Sequence, residues 1–266
     1  MLSRIERGTA MRRSRKYTRA KINKIDFLAI PILFVTMIIF ILLGRLYASV
    51  VVEDLTKSEH VMLGAFVQLL AYTATILCYW FIKRKSFVAR FNANFNYIVR
   101  HWKFIAQVFV ITYLLSYIYN YGVQYLPGDL GFSETQNELS LQVIFSNPVF
   151  LPITFILIVI VGPFIEELFF RHLLIGELGK KFNFKIMGII SVIAFSFMHV
   201  TDAASPLEFG SYCIIAIGIV YAYLKSGRKL GVSVSLHMLN NLLAFIITIL
   251  MLSLIHISEP TRQEAI

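Results

Sequence analysis

The sequence predicts an all-α fold: a polytopic membrane helical bundle of about seven transmembrane helices. Three observations carry this reading. Hydrophobic residues make up 58% of the 266 positions and the mean hydropathy is +0.72, against roughly 45–50% apolar residues in soluble domains. The apolar residues fall into separate runs of about 18 or more, the length a helix needs to cross hydrocarbon. The charge is also sorted by loop. A net charge of +10 would suggest nucleic acid in a soluble chain, but here it reads as topology. The bilayer is therefore the expected partner, and no nucleic-acid partner is expected.

Residues 1–26 carry nine Lys/Arg against two acids and read as a basic N-terminal arm, disordered or surface-lying. The first span is 27–44. A basic start before an apolar run can also be a signal peptide, but the cleavage-like Tyr47-Ala48-Ser49 is weak and the run is long, which favours a retained helix. The second span is 61–82. The third, 104–125, is rich in tyrosine and polar at Asn120 and Gln124, as an interfacial end would be. The fourth starts near Phe150 and runs through Glu166 and Glu167, and the fifth runs from Ile186 past His199. The sixth is 209–224 and the seventh 230–251. Cys78 and Cys213 both lie inside apolar runs and read as buried small hydrophobes rather than a disulfide.

Loop charges alternate. The 83–103 loop has six bases and no acid, the 126–148 loop three acids and no base, and the 201–208 loop Asp202 and Glu208 and no base. Lys225, Arg228 and Lys229 follow with no acid. Only the 45–60 loop is mixed. The positive-inside rule then places the N-terminus, the 83–103 loop, Lys180-Lys181 and the 225–229 turn in the cytoplasm. The expected localisation is a multi-pass protein of the cell membrane with a cytoplasmic N-terminus. The 126–148 loop, with Pro127, Gly128 and Gly131, either folds over the outer face or is a plain solvated loop.

Residues 252–266 stand apart. The run from Leu252 to Arg262 reads as the in-frame translation of a sequencing adapter, so the tail is expected to be non-native and His256 receives no role. A strongly amphiphilic native tail is the alternative.

Ionisable groups inside spans are costly, at least about 2.5–3.5 kcal/mol each near the bilayer centre, and point to function. Three helices carry them. The fourth has Glu166, Glu167 and Arg171, the fifth has His199 four residues after Phe195, and the seventh has His237 and Asn241. Residues four apart share a helix face, so His237 pairs with Asn241 and Glu167 with Arg171, while Glu166 is turned about 100° away. Counted from ends set by loop charge, Glu166, His199, His237 and Asn241 lie about 20, 21, 10 and 16 Å along their helices from the basic side. Four groups on three helices thus fall in one band of a core about 30 Å thick.

Glu166-Glu167-x-x-x-Arg171, Phe195-x-x-x-His199 and His237-x-x-x-Asn241, in this order on successive helices, resemble the CPBP family of intramembrane proteases. That family contains the CAAX prenyl endopeptidases and the bacterial bacteriocin-processing (Abi) proteins. The likeness covers 148–251, a CPBP-like catalytic core, while 27–147 resemble nothing beyond the variable leading transmembrane helices of that family. The resemblance implies an endopeptidase in which Glu166 acts as base on a water, assisted by His199. It places His237 and Asn241 in the oxyanion hole and makes Glu167 and Arg171 a supporting ion pair. Hydrolysis needs these parts: a nucleophile, a base and donors for the oxyanion.

Other readings of the same residues stand beside this one. Glu166 and Glu167 could form a structural pair neutralised by Arg171 and a histidine, His199 could be a bonded core histidine, and Asn241 could be interhelical glue like Asn240. His60, His101 and His172 lie at ends or in loops and read as solvated. No serine has the Gly-x-Ser-x-Gly setting of a hydrolase nucleophile. One glutamate and two histidines could hold a catalytic metal such as zinc, but His-Glu-x-x-His is absent and no cofactor is expected. The leading expectation is an intramembrane endopeptidase acting on a peptide or protein tail. The alternative is a non-proteolytic scaffold or an immunity or signalling partner, and a transporter ranks behind both because no inverted repeat is visible. For a bacterial chain the expected substrates are leader peptides, bacteriocins or pheromones.

Overall fold

The structure, a computed structural model, describes residues 21–51 and 55–258. Most of the basic arm and residues 259–266 of the tail lie outside that range. Among the described residues the chain is helical without strands. A 3-10 turn, Lys24–Leu28, leads into α1 (Ala29–Val51), followed by α2 (Lys57–Arg100) and α3 (Trp102–Val123). After α4 (Gln136–Phe145) come α5 (Leu151–Phe182) and α6 (Phe184–Met198). The last two are α7 (Glu208–Lys225) and α8 (Leu230–Ser258). Six of these are long and apolar enough to cross a membrane, and α6 is a shorter apolar helix.

Three of the boundaries have a local cause in a capping side chain. Thr56 caps α2 in a reciprocal capping box with Glu59, and Thr135 does the same for α4 with Glu138. Asn183 separates α5 from α6 with φ at 87°, and its side chain accepts from the Lys185 amide at 2.8 Å. That left-handed backbone is tolerated by asparagine better than by most residues.

The helices α5, α6, α7 and α8 form the core, with α8 packed against α2, α3, α5 and α7. Phe145 and Phe155 pack against Phe245, tilted and edge-on respectively, where α4, α5 and α8 meet. Small residues let helices close up, as expected where lipid offers no competing solvent force. A Cβ on Gly210 or Gly218 of α7 would overlap Tyr119 or Thr112 of α3.

Four expectations need correction. Residues 83–100 are not a loop but the second half of α2. No Gly or Pro occurs between Gly64 and Gly122, so nothing in the backbone ends the helix where the charge begins. The fifth helix does not run past His199: α6 ends at Met198 and His199 is its C-cap. Cys78 and Cys213 are free as expected, but Cys78 lies on an exposed face rather than in packing. Helix α8 runs on through Met251 to Ser258 without a break.

The 126–148 segment folds onto the acidic end of the bundle. Ser205 Oγ donates to the Leu130 carbonyl at 2.8 Å, and the Gln136 amide donates to Glu208 Oε2 at 2.8 Å. Fully buried Glu208 also accepts the amides of Ala204 and Ser205, at 2.9 and 3.2 Å. These bonds satisfy the irregular 199–207 turn. Helix α6, with 15 residues, is about 22 Å long, too short for a core of about 30 Å. The turn after it therefore sits at depth, where non-helical backbone is tolerated only if protein covers it.

Candidate active site

The site is built on α5, whose winding is unusual. It is π-helical over Ile156–Val161 and again over Leu168–Leu178, with α-helical Gly162–Glu167 between. In the first π turn the Gly162 amide donates to the Leu157 carbonyl, five residues back. The next bond in that register would run from residue 163 to Ile158, but Pro163 has no N–H. The orphaned Ile158 carbonyl accepts instead from Asn241 Nδ2 of α8 at 2.9 Å. The Phe170 carbonyl likewise accepts from Ser191 Oγ of α6 at 2.9 Å. Gly162 is required here because an added Cβ would lie 2.8 Å from the Leu157 oxygen. Single π turns inside α-helices are frequent at functional sites, and this one presents Glu166 and Glu167 one turn beyond it.

Glu166 and Glu167 then diverge, as their 100° offset predicts. Glu167 is fully buried and faces two partners. His237 Nδ1 lies 2.9 Å from its Oε1, and Arg171 Nε lies 3.2 Å from its Oε2. Arg171 is also fully buried, with its guanidinium 4.5 Å from the centroid of the Phe195 ring. That pair is close enough for an ion pair but not aligned for a hydrogen bond. The cation is thus held by one carboxylate and an aromatic face.

Glu166 points the other way. His199 Nε2 and His237 Nε2 approach its Oε2 at 3.7 and 3.8 Å. Both distances are longer than a hydrogen bond, and Oε2 is buried with no donor among the described residues. The other ring nitrogen of each histidine is committed. His199 Nδ1 lies 2.9 Å from the Phe195 carbonyl, which can only accept, so Nδ1 carries the proton. His237 Nδ1 donates to Glu167. Both imidazoles therefore turn Nε2 toward the same carboxylate oxygen. The side chain of Glu166 retains 19% exposure and that of His199 16%, whereas His237 has 4%.

Five of the six residues singled out in the sequence, Glu166, Glu167, Arg171, His199 and His237, thus meet across α5, the end of α6 and α8, and the sixth, Asn241, reaches the α5 backbone. Asn241 is one helical turn beyond His237, and one of its two N–H groups is taken by Ile158. Asn240 Nδ2 reaches Asn241 Oδ1 at 3.4 Å.

Several participants had no sequence signal. Tyr212 of α7 stacks on the His199 ring, centroids 4.9 Å apart and planes 26° apart, and its hydroxyl meets Thr135 Oγ1 at 3.0 Å. Nothing local in the sequence links a helix cap in the 126–148 segment to a histidine more than sixty residues later. His172, read as solvated, instead contacts buried Asp26 at 3.0 Å through Nε2. Asp26 also pairs with Lys83, and Glu177 accepts from Lys180 at 2.7 Å and from the Asn23 amide at 2.7 Å. Residues 23–26 are therefore docked on α5 rather than free. Among the described residues, Asp26, His172 and Glu177 are the carboxylate and imidazole groups whose ligand atoms gather within 4.8 Å of one another.

Residues 148–243 match the family described as Type II CAAX prenyl endopeptidase Rce1-like. A curated protein of Bacillus subtilis (strain 168), named "Putative membrane peptidase YdiL", is 33% identical over 91 residues. That match covers 34% of this chain and 35% of the relative, so about a third of the relative's length is represented. No solved structure matches. The matched segment takes in α5, α6, α7 and the first half of α8, the helices that carry Glu166, His199 and His237. The likeness to the Rce1-like family thus falls on the stretch of this membrane protein that carries Glu166, His199 and His237.

Proposed function

We propose that the protein is an intramembrane endopeptidase in which Glu166 activates water. The observation that supports this best is the convergence of two histidine Nε2 atoms on one buried, unpartnered glutamate oxygen. Three acceptor-bearing atoms facing one another need proton donors between them, and water is the donor a hydrolase would place there.

In this reading water binds between Glu166 Oε2 and His199 Nε2. Glu166 takes its proton as the oxygen attacks the substrate carbonyl. The oxyanion that forms is met by the free N–H of Asn241 and by His237, donating from Nε2 when both ring nitrogens are protonated. Glu166 then returns the proton to the departing amine, leaving an acid and an amine. Glu167 and Arg171 hold His237 in its tautomer and orientation, as outer carboxylates do for histidines elsewhere.

The carboxylate and two imidazoles are also a donor set known to hold zinc in soluble hydrolases. Glu166, His199 and His237 would then be the ligands. The substrate would be a peptide or protein tail reaching the membrane. In a bacterial cell that means a leader, bacteriocin or pheromone peptide, or a self-immunity target; in eukaryotic relatives it means a CAAX-type tail. The N-terminus and the basic end would face the cytoplasm of a cell-membrane protein.

The test is a comparison of cleaved peptide termini in cells carrying the wild type and Glu166→Gln at matched abundance. Termini that vanish with the variant support a protease and name its substrate. Identical termini alongside an intact cellular phenotype would support the scaffold reading instead.

A further inference from the structure

Helix α2 has 44 residues, about 66 Å by helical rise, more than twice a hydrocarbon core of about 30 Å. Its far end is nonetheless pinned to the membrane. Only His101 separates Arg100 from Trp102, where α3 begins. With 22 residues, α3 is about 33 Å long and has nothing to spare for a stretch outside the bilayer. Trp102 must therefore lie at the interface on the basic side. A straight α2 standing along the membrane normal would carry Arg100 roughly 30 Å into water, which the connection to α3 forbids. Residues 83–100 must instead run obliquely along the headgroup layer.

Their side chains suit that position. Phe87, Phe91 and Phe95 stack in a ladder with centroids 6.1 Å apart. They are 41%, 56% and 55% exposed. Trp80 continues the ladder toward the spanning half of the helix, at 6.4 Å from Phe87. Arg84, Lys85, Arg90 and Arg100 are exposed on the same segment, and no Asp or Glu occurs from 83 to 103. A third face, with Asn94, Tyr97 and Ile98, is turned to the bundle. There Asn94 Oδ1 accepts the Gly231 amide in the first turn of α8, at 2.8 Å. The segment is thus fixed to the core on one side and, among the described residues, unpartnered on its aromatic and basic sides.

We propose that residues 83–100 are an interfacial anchor that binds an anionic phospholipid surface. The phenylalanine ladder enters the boundary between headgroups and acyl chains, and the four exposed cations meet lipid phosphates. Amphipathic basic helices with aromatic faces bind such surfaces by the same two contributions. Because Asn94 caps α8, the helix that carries His237, lipid held here abuts the scaffold of the site.

The chain has two tryptophans, Trp80 and Trp102, which makes a fluorescence test direct. Full-length protein carrying Phe91→Trp in a Trp80→Phe, Trp102→Phe background would be reconstituted in phosphatidylcholine vesicles containing lipids brominated at graded depths. The proposal expects strong quenching by bromines near the headgroup and at least several-fold protection from aqueous acrylamide. Full acrylamide access without bromolipid quenching would overturn it, because the face would then stand in water. Protection from both quenchers would overturn it as well, since a protein partner or second copy would then cover the face. For charge, lipids co-purified from mixed phosphatidylcholine and phosphatidylglycerol membranes would be compared between wild type and Arg84→Gln, Lys85→Gln, Arg90→Gln, Arg100→Gln combined. A several-fold loss of phosphatidylglycerol enrichment is expected, and unchanged enrichment would refute the anionic preference.

Discussion

At the scale of single residues the site divides into groups facing the reaction and groups holding them. Arg171 and Glu167 are both fully buried, and neither is tolerable alone. Arg171→Leu leaves a buried carboxylate facing His237 and should cost about 3–5 kcal/mol, the usual penalty for breaking a buried pair. The double variant Glu167→Gln, Arg171→Leu should recover part of that loss in thermal unfolding in detergent, while cleavage stays impaired because His237 has lost its charged anchor. Additive losses in the double variant would show that the two side chains do not act as a pair. Tyr212 supports His199 by stacking and is itself held by Thr135. Tyr212→Phe should cut turnover only a few-fold and Tyr212→Leu about tenfold or more, with little change in KM; equal effects would remove the ring stack from the account. At this scale the three motifs were legible because each is an i, i+4 pair on one helix, a pattern visible in any sequence. The partners of Asp26, His172 and Glu208 were not, because bonds such as His172 to Asp26 join residues 146 apart and leave no local pattern.

At the scale of elements the decisive feature is the winding of α5. Pro163 leaves the Ile158 carbonyl without its helical donor, and Asn241 supplies one from α8. Asn241→Leu should therefore destabilise the fold by about 1–3 kcal/mol, the cost of an orphaned buried acceptor, besides lowering activity. Pro163→Ala returns an N–H to the helix. It should restore part of the stability in the Asn241→Leu background, but not the activity. A double-mutant cycle on thermal midpoints tests this, and no coupling between the two positions would contradict it. The sequence let the fourth span run unbroken from Phe150 through Glu167, and nothing in it says that the helix widens ahead of Gly162-Pro163. The length of α2 was misread for a related reason. Charge patterning locates the edge of the hydrocarbon, not the end of a helix, and residues 83–100 contain no Gly or Pro to end one. The short α6 was overextended because the apolar run continues through Val200, whereas the backbone turns at His199 to bring its ring against Tyr212.

At the scale of the whole molecule the bundle has an acidic end, closed by the 126–148 segment and Glu208, and a basic end, where α2 turns along the interface and residues 23–26 dock on α5. The alternation of loop charge made this polarity readable in advance, and it predicts orientation. In a Cys78→Ser, Cys213→Ser background, Asp129→Cys should react with an impermeant maleimide on intact cells, and Lys85→Cys only after permeabilisation; the reverse would invert the topology. The reading that unites the scales is that the polar band inside this apolar bundle exists to hydrolyse a peptide bond with water activated by Glu166. The most direct test is cleavage of a quenched fluorescent peptide panel by the purified protein in detergent, beside Glu166→Gln and beside wild type treated with a strong chelator. Turnover should fall by about 10²–10⁴-fold or more with Glu166→Gln, at unchanged thermal stability, and should be untouched by the chelator. Cleavage that survives Glu166→Gln would contradict this reading, and cleavage lost to the chelator would transfer the same three side chains to a metal.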